Sequence, residues 1–285
     1  MVAQKDKTLG EVDLDGILSL LVSSRGATIS TNLSCELAER KIPVIYCDKK
    51  LVPVAITLPT IQHFDQTRRF FAQAQLPNKT KQKLWSCLVA NKISNQAKHI
   101  ERVTGTINAR LLRLSKEVEI GDTKNVEAQA ARIYWKLLFG QQFKRDRAET
   151  TINSLLNYGY TIIRSAMARA VISSGLHPTF SLHHKSKVNA FGLVDDLIEP
   201  YRILTDQIVY KLVRAGLIEL NVNAKESLAA VINSAHIGEK NNQNIFLHMQ
   251  QNCNCLVRIL NNEQAKFLSP NLFTKAQICK MTERC

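Results

Sequence analysis

Residues 147–175, RAETTINSLLNYGYTIIRSAMARAVISSG, constrain the fold of this chain more than any other stretch. Ile152, Leu155, Leu156, Gly159, Ile162, Ile163, Ala166 and Ala170 recur at the i, i+3, i+4, i+7 spacing of a helix with one buried stripe. Gly159 and the alanines are small enough for a second helix to approach closely. Gly175 stands where a helix ends in a left-handed residue. A helix of this kind belongs at the centre of a helical domain, as core. No apolar run reaches the ~20 residues of a bilayer span. The start, MVAQKDKTLGEVDLDG, lacks the apolar region of a secretory signal. A cytoplasmic chain without a membrane segment is therefore expected.

Upstream the pattern changes. GILSLLVSS reads as a short strand, and TNLSCELAER as a short helix capped by Ser30 or Thr31. IPVIYCD and LVPVAITLP flank a turn at Asp48, Lys49 and Lys50, which predicts a hairpin. From Thr60 onward the spacing is helical, interrupted by polar stretches at 119–125, 140–148, 175–189 and 220–225. The expected fold class is α+β: a small β-sandwich-like domain over 1–58, then a larger all-α domain over 59–285.

Charge narrows the partners. Thirty-eight Lys and Arg against 24 Asp and Glu leave a net charge of +14, which makes a polyanion the leading candidate, because each neutralised phosphate releases counterions. No basic amphipathic helix with a Trp or Phe face suits a membrane surface. Seven cysteines show no repeated spacing, and the C-x-C at Cys253 and Cys255 lacks two further ligands nearby; reduced structural thiols are expected.

The ionisable cluster LHHKSKVNAFGLVDDLIEPYR, residues 182–202, is poor core material. Asp196 and Glu199, at i and i+3, face one way on a helix, Asp195 points elsewhere, and Pro200 closes or kinks the segment. Two carboxylates on one face repel unless a cation lies between them; otherwise they form a solvated helix end beside Lys185, Lys187 and Arg202. His183 or His184 would add an imidazole. Glu127 shares the apolar face of NVEAQAARIYWKLLFG with Ala130, Ala131, Tyr134 and Leu138. It is either paired or metal-bound there, or else it favours the positive end of a helix capped by Asn125. An imidazole with two carboxylates and no thiolate suits Mg²⁺ or Mn²⁺. With a basic surface, that points to phosphodiester chemistry.

At these residues the chain closely resembles the type II form of CRISPR-associated protein one, the integrase that inserts spacers into CRISPR arrays. The matching stretches are IPVIYCDKKLVPVA, KISNQ, EAQAARIYWKLLFG, LNYGYTIIRSAMARA with GLHP, HHKSKVNAF and DDLIEPYRILTDQIV, in family order over nearly the whole chain. The resemblance implies a β domain followed by a helical domain, and a metal triad of Glu127, His184 and Glu199 with Asp196 in support. It selects His184 over His183. It also implies further strands ahead of VDLDGILSLLVSS, so that the β domain here reads as truncated, with dimer and partner contacts affected. Gly192 replaces a polar residue, with little effect expected.

The expected activity is that of a prokaryotic, metal-dependent DNA endonuclease and integrase. A spacer 3′-hydroxyl attacks a repeat phosphodiester, and without a spacer the same site cuts DNA. His184 either ligates throughout or protonates the leaving oxygen. Lys144, Arg145, Arg147, Lys185 and Lys187 are the candidate phosphate contacts, each readable also as a solvated loop charge. The implied partners are double-stranded DNA, a second copy in a homodimer, and CRISPR-associated protein two in a hetero-hexamer. The alternative is a basic DNA-binding scaffold without catalysis.

Overall fold

The computed structural model describes residues 2–4, 7–24, 26–48, 53–60, 63–146, 151–186, 188–234, 236–237 and 243–267. Strands β1 (Val2–Gln4) and β2 (Lys7–Gly10) form an antiparallel pair. Strand β3 (Leu20–Val22) runs parallel to β4 (Val44–Cys47), and β4 pairs antiparallel with β5 (Pro53–Thr57). Parallel neighbours need a crossover, which helix α1 (Thr31–Glu39) supplies. Of the two expected caps Ser30 is the one used, its hydroxyl accepting the Leu33 N–H at 3.1 Å. Strand alternation divides β4: Val44 packs with Leu37 and Ile42 under α1, while Ile45 joins the main helical core. Of the expected hairpin turn, Lys49 and Lys50 lie outside the described residues.

Beyond β5 the described elements are chiefly helices: α2 (Gln66–Ala74), α3 (Asn78–Thr104), α4 (Ala109–Lys116), α5 (Val126–Phe139), α6 (Ile152–Ser173), α7 (Gly192–Leu197), α8 (Arg202–Arg214), α9 (Val222–Ala229), α10 (Val231–Ser234) and α11 (Ile245–Leu260). Between α10 and α11 lies a two-residue antiparallel ladder of β6 (His236–Ile237) and β7 (Gln243–Asn244). A small three-stranded sheet leading into a mainly helical body is the expected class. The five described cysteines, Cys35, Cys47, Cys87, Cys253 and Cys255, are all free. No helix among the described residues is long and apolar enough to cross a membrane.

Helix α6 is central, and more enclosed than a one-stripe helix. Besides Leu155, Leu156, Ile163, Ala166 and Ala170, it buries Tyr160, Met167, Ala168, Val171 and Ile172, because α7, α8, α9 and α11 pack on different sides of it. Gly159 permits the approach of α8: a Cβ there would lie 2.4 Å from Thr205 Cγ2. Gly175 takes φ +62° just past the helix end. Its N–H and that of Leu176 close the last carbonyls, Ile172 O at 2.9 Å and Val171 O at 3.1 Å. Arg169 ties α6 to the sheet side by donating to the Ile17 carbonyl and to Leu18 O, the latter at 3.1 Å.

Candidate active site

One stripe of α3 faces the site. Trp85, Lys92, Gln96 and His99 are spaced to share a helix face. Opposite them lie the first turn of α5, the middle of α6 and the segment from His184 to Asp206. Together these elements enclose a cavity of about 300 Å³ lined by Glu127, His184 and Glu199 with Lys92, Arg145 and Arg202.

Glu127 sits in the first turn of α5. Asp122, not Asn125, caps this helix: its carboxylate accepts the Val126 N–H at 2.8 Å and the Glu127 N–H at 3.1 Å. Asn125 makes no side-chain cap because its backbone is left-handed, with φ +51°. Glu127 does stand in the first turn, where the helix dipole favours an acid, and it is paired as well. Its Oε1 accepts from Lys92 Nζ at 2.5 Å, across 35 residues of sequence.

His184 is fixed from behind. Its Nδ1 lies 2.5 Å from Asp196 Oδ1. Asp196 is 0 % exposed and also accepts the backbone N–H groups of Leu182, His183 and His184, at 2.6, 3.0 and 3.4 Å. One carboxylate thus holds both the imidazole and the loop that carries it, leaving Nε2 for other work. The hydrogen bond with Asp196 raises the His184 pKa above its ordinary value. Trp85 supports the loop: the His183 ring stacks on it at 4.2 Å and the His184 ring meets it edge-on at 5.9 Å. Asp195 points away, as expected, into a forked pair with Arg164 at 2.6 and 2.7 Å. Gly192 suits its close surroundings, because a Cβ there would lie 2.9 Å from Thr179 O.

Glu199 stands in a single 3₁₀ turn, Glu199–Tyr201, where Pro200 kinks the chain between α7 and α8. It is 4 % exposed, so the solvated acidic end is overturned. Arg202 Nε donates to its Oε1 at 2.9 Å, and Lys92 Nζ lies 2.6 Å from its Oε2. Burial by itself would push this carboxyl up, but the Arg202 and Lys92 charges outweigh it and hold it down at about 2. Burial likewise opposes the Lys92 charge, and Glu199 and Glu127 more than restore it.

The donors suit a hard divalent ion in kind, and one detail favours a cation at Glu199. Its Oε2 is enclosed and receives no well-directed hydrogen bond, although the Lys92 ammonium is 2.6 Å away. Glu127 Oε1 and Glu199 Oε2 lie 2.5 and 2.6 Å from that ammonium, so the two carboxylates share one cationic group. Among the described residues no three His, Cys, Asp or Glu side chains stand ready to share an ion as they lie. Lys92 holds that position instead.

Lys92 and Trp85 are the site residues that the sequence pattern did not single out, and Arg202 was expected only as the flank of a solvated helix end; Lys92 and Gln96, one turn apart among the apolar positions of α3, were the available signal. Of the basic candidates, Arg145 lines the cavity, fixed by Asn153 Oδ1 at 2.9 Å and Asn157 Oδ1 at 2.7 Å. Lys144 and Lys185 are exposed, and Arg147 and Lys187 lie outside the described residues. Deeper in, Tyr134 and Tyr160 donate to Asp206, at 3.0 and 2.5 Å, and burial raises the Asp206 pKa to about 6.

A family model described as CRISPR associated protein Cas1 matches residues 1–238. The CRISPR-associated endonuclease Cas1 of Neisseria meningitidis serogroup C (strain 8013) is 35% identical over 231 residues, covering 80% of this chain and 76% of its own. The CRISPR-associated endonuclease Cas1 1 of Francisella tularensis subsp. novicida (strain U112) is 28% identical over 221 residues, covering 70% and 69%. In fold, the chain is similar to a casposase bound to integration product, with TM-score 0.75 and 17% identity over 93% of this chain and 86% of the other. It is also similar to a CAS1 protein from Thermotoga maritima, with TM-score 0.72 and 14% identity over 89% of each. A chain of a Cas6-RT-Cas1–Cas2 complex matches at TM-score 0.77 and 19% identity, over 95% of this chain and 34% of that one.

Proposed function

The chain belongs to the Cas1 family of CRISPR-associated proteins, and from that premise we propose that it is a divalent-metal-dependent DNA endonuclease and integrase that inserts spacer DNA into a CRISPR repeat. One observation carries the reading: Glu127, His184 and Glu199, drawn from separated parts of the helical region, line a single cavity. The two carboxylates and the free Nε2 of His184 would hold Mg²⁺ or Mn²⁺, which supplies a Lewis acid toward a phosphodiester oxygen when bound.

The chain's own residues do the rest. Asp196 fixes the tautomer and orientation of His184, as an outer carboxylate does for a ligating imidazole. Arg202 and Arg145 present cationic groups to phosphate oxygens on the cavity wall. In the reaction, the incoming 3′-oxygen forms a bond to phosphorus as the bond to the repeat strand's 3′-oxygen breaks. The attacking hydroxyl gives up its proton, and the departing oxygen takes one. Water in place of the 3′-hydroxyl gives hydrolysis, the endonuclease activity for which the Neisseria and Francisella relatives are named. Lys144, Arg145, Arg147, Lys185 and Lys187 are assigned to the flanking phosphates.

The same reading takes 1–58 and 59–285 as the two domains of a homodimer that assembles with CRISPR-associated protein two. The likeness to a chain of a Cas1–Cas2 complex supports that partner. The test is an integration assay with pre-processed duplex, a repeat-bearing plasmid and Mn²⁺. Wild type is expected to yield product, and Glu127→Ala and His184→Ala none. Equal product from all three overturns the site; good DNA binding with no product from any of them favours the scaffold.

A further inference from the structure

We propose that Lys92 is an internal counter-cation that competes with the metal ion for Glu127 and Glu199, and that its ammonium withdraws along α3 to Gln96 when the ion binds. The proposal rests on the metal-binding reading of Glu127, His184 and Glu199. Its first support is position. Lys92 Nζ is 2.5 Å from Glu127 Oε1 and 2.6 Å from Glu199 Oε2, so it bridges the two acids that the ion would bridge. An ammonium and a divalent ion cannot share that space. The carboxylate oxygens of a hard-ion site lie about 2.0–2.6 Å from the metal, which is where the nitrogen stands.

The second support is a vacated partner. Gln96 is one helical turn beyond Lys92 on the same face, and both line the cavity. Gln96 is 4 % exposed, and its Oε1 is enclosed without a hydrogen-bond partner. A buried acceptor in that state is costly, and a lysine head on a flexible four-carbon stem can satisfy it. The third support is asymmetry. Glu199 has Arg202 at 2.9 Å as a second cation, whereas among the described residues Lys92 is the cation paired with Glu127. Lys92 therefore keeps the apo site from carrying an uncompensated buried charge. Withdrawn, it stays in the cavity with Arg145 and Arg202, facing the phosphate.

The experiment titrates Mn²⁺ into the full chain without DNA, following free Mn²⁺ by electron paramagnetic resonance. Lys92→Met is expected to bind Mn²⁺ about tenfold tighter or more, since no cation must be displaced. Lys92→Gln, whose amide still donates to Glu127 and so protects folding, shifts affinity the same way. Gln96→Leu removes the receiving acceptor and weakens binding several-fold. Thermal melting supplies a second readout: Lys92→Met melts below wild type in chelator and gains more from saturating Mn²⁺. If wild type binds Mn²⁺ and Glu127→Ala does not, yet Lys92→Met and Lys92→Gln bind no tighter than wild type, the counter-cation role is refuted alone. If wild type and Glu127→Ala bind alike, or neither binds, the metal reading fails and takes this proposal with it.

Discussion

Replacing Asp196 by alanine tests whether one buried carboxylate builds the His184 loop. Asp196 Oδ2 accepts from Leu182 N at 2.6 Å and His183 N at 3.0 Å, and Oδ1 from the His184 ring at 2.5 Å. Hydrogen bonds to a charged group contribute about 1.5–3 kcal/mol each. His183 and His184 can turn to water because both are partly accessible, whereas the Leu182 N–H belongs to a residue only 7 % exposed. The net loss is therefore about 3–5 kcal/mol, the range found on removing one partner of a buried charged network. Against a total stability of about 5–15 kcal/mol that loss is large, and the variant's urea midpoint falls well below that of wild type. Asn at 196 keeps one acceptor oxygen but aims an amide N–H₂ at a donor, so it falls between wild type and alanine. Urea unfolding gives the stability, and hydrogen exchange at 182–184 gives the location. Losing this outer partner should also weaken Mn²⁺ binding by about 10–100-fold. If Asp196→Ala unfolds within about 0.5 kcal/mol of wild type and exchange at 182–184 is unchanged, Asp196 does not organise the loop.

Gly159→Ala places a Cβ 2.4 Å from Thr205 Cγ2. The overpacking of about 1–3 kcal/mol outweighs a helix-propensity gain of about 1 kcal/mol, so the melting point falls, and adding Thr205→Ala restores most of it. His99, buried against Tyr134 at 2.8 Å, has its pKa lowered by burial to about 3. The unfolded chain therefore takes up a proton near pH 6.5 that the folded chain refuses until about pH 3. Stability contributed by the neutral ring is complete above that upper value and lost as pH falls through the window. Urea midpoints from pH 7 down to pH 4 should decline, and His99→Asn should flatten the decline.

What could be read from the sequence was local. The cap at Ser30 or Thr31 and Gly175 as a terminator depend on neighbours within a few residues, and the structure has Ser30 and Gly175 in those places. Helix α6 was found from its spacing, but its enclosure on several sides was not, because a single stripe carries no record of how many helices will pack around it. Glu127 stood out as an acid on an apolar face. Its partner did not, since Lys92 lies 35 residues earlier in another helix. The cap of α5 went to Asp122 rather than Asn125 because Gly121, Asp122 and Asn125 all take positive φ, turning Asn125 out of capping geometry. Burial of Asp196 and Glu199 could not be read from their spacing, because a solvated helix end has the same one.

The central claim is that Glu127, His184 and Glu199 hold one divalent cation. Its most direct test is the anomalous difference map of a Mn²⁺-soaked crystal of the full chain. The expected result is a single strong peak within coordination distance of both carboxylates and His184 Nε2, with the Lys92 ammonium moved away from them. A map with Mn²⁺ elsewhere, or with Lys92 still bridging Glu127 and Glu199 at a Mn²⁺ concentration that supports strand transfer, contradicts it.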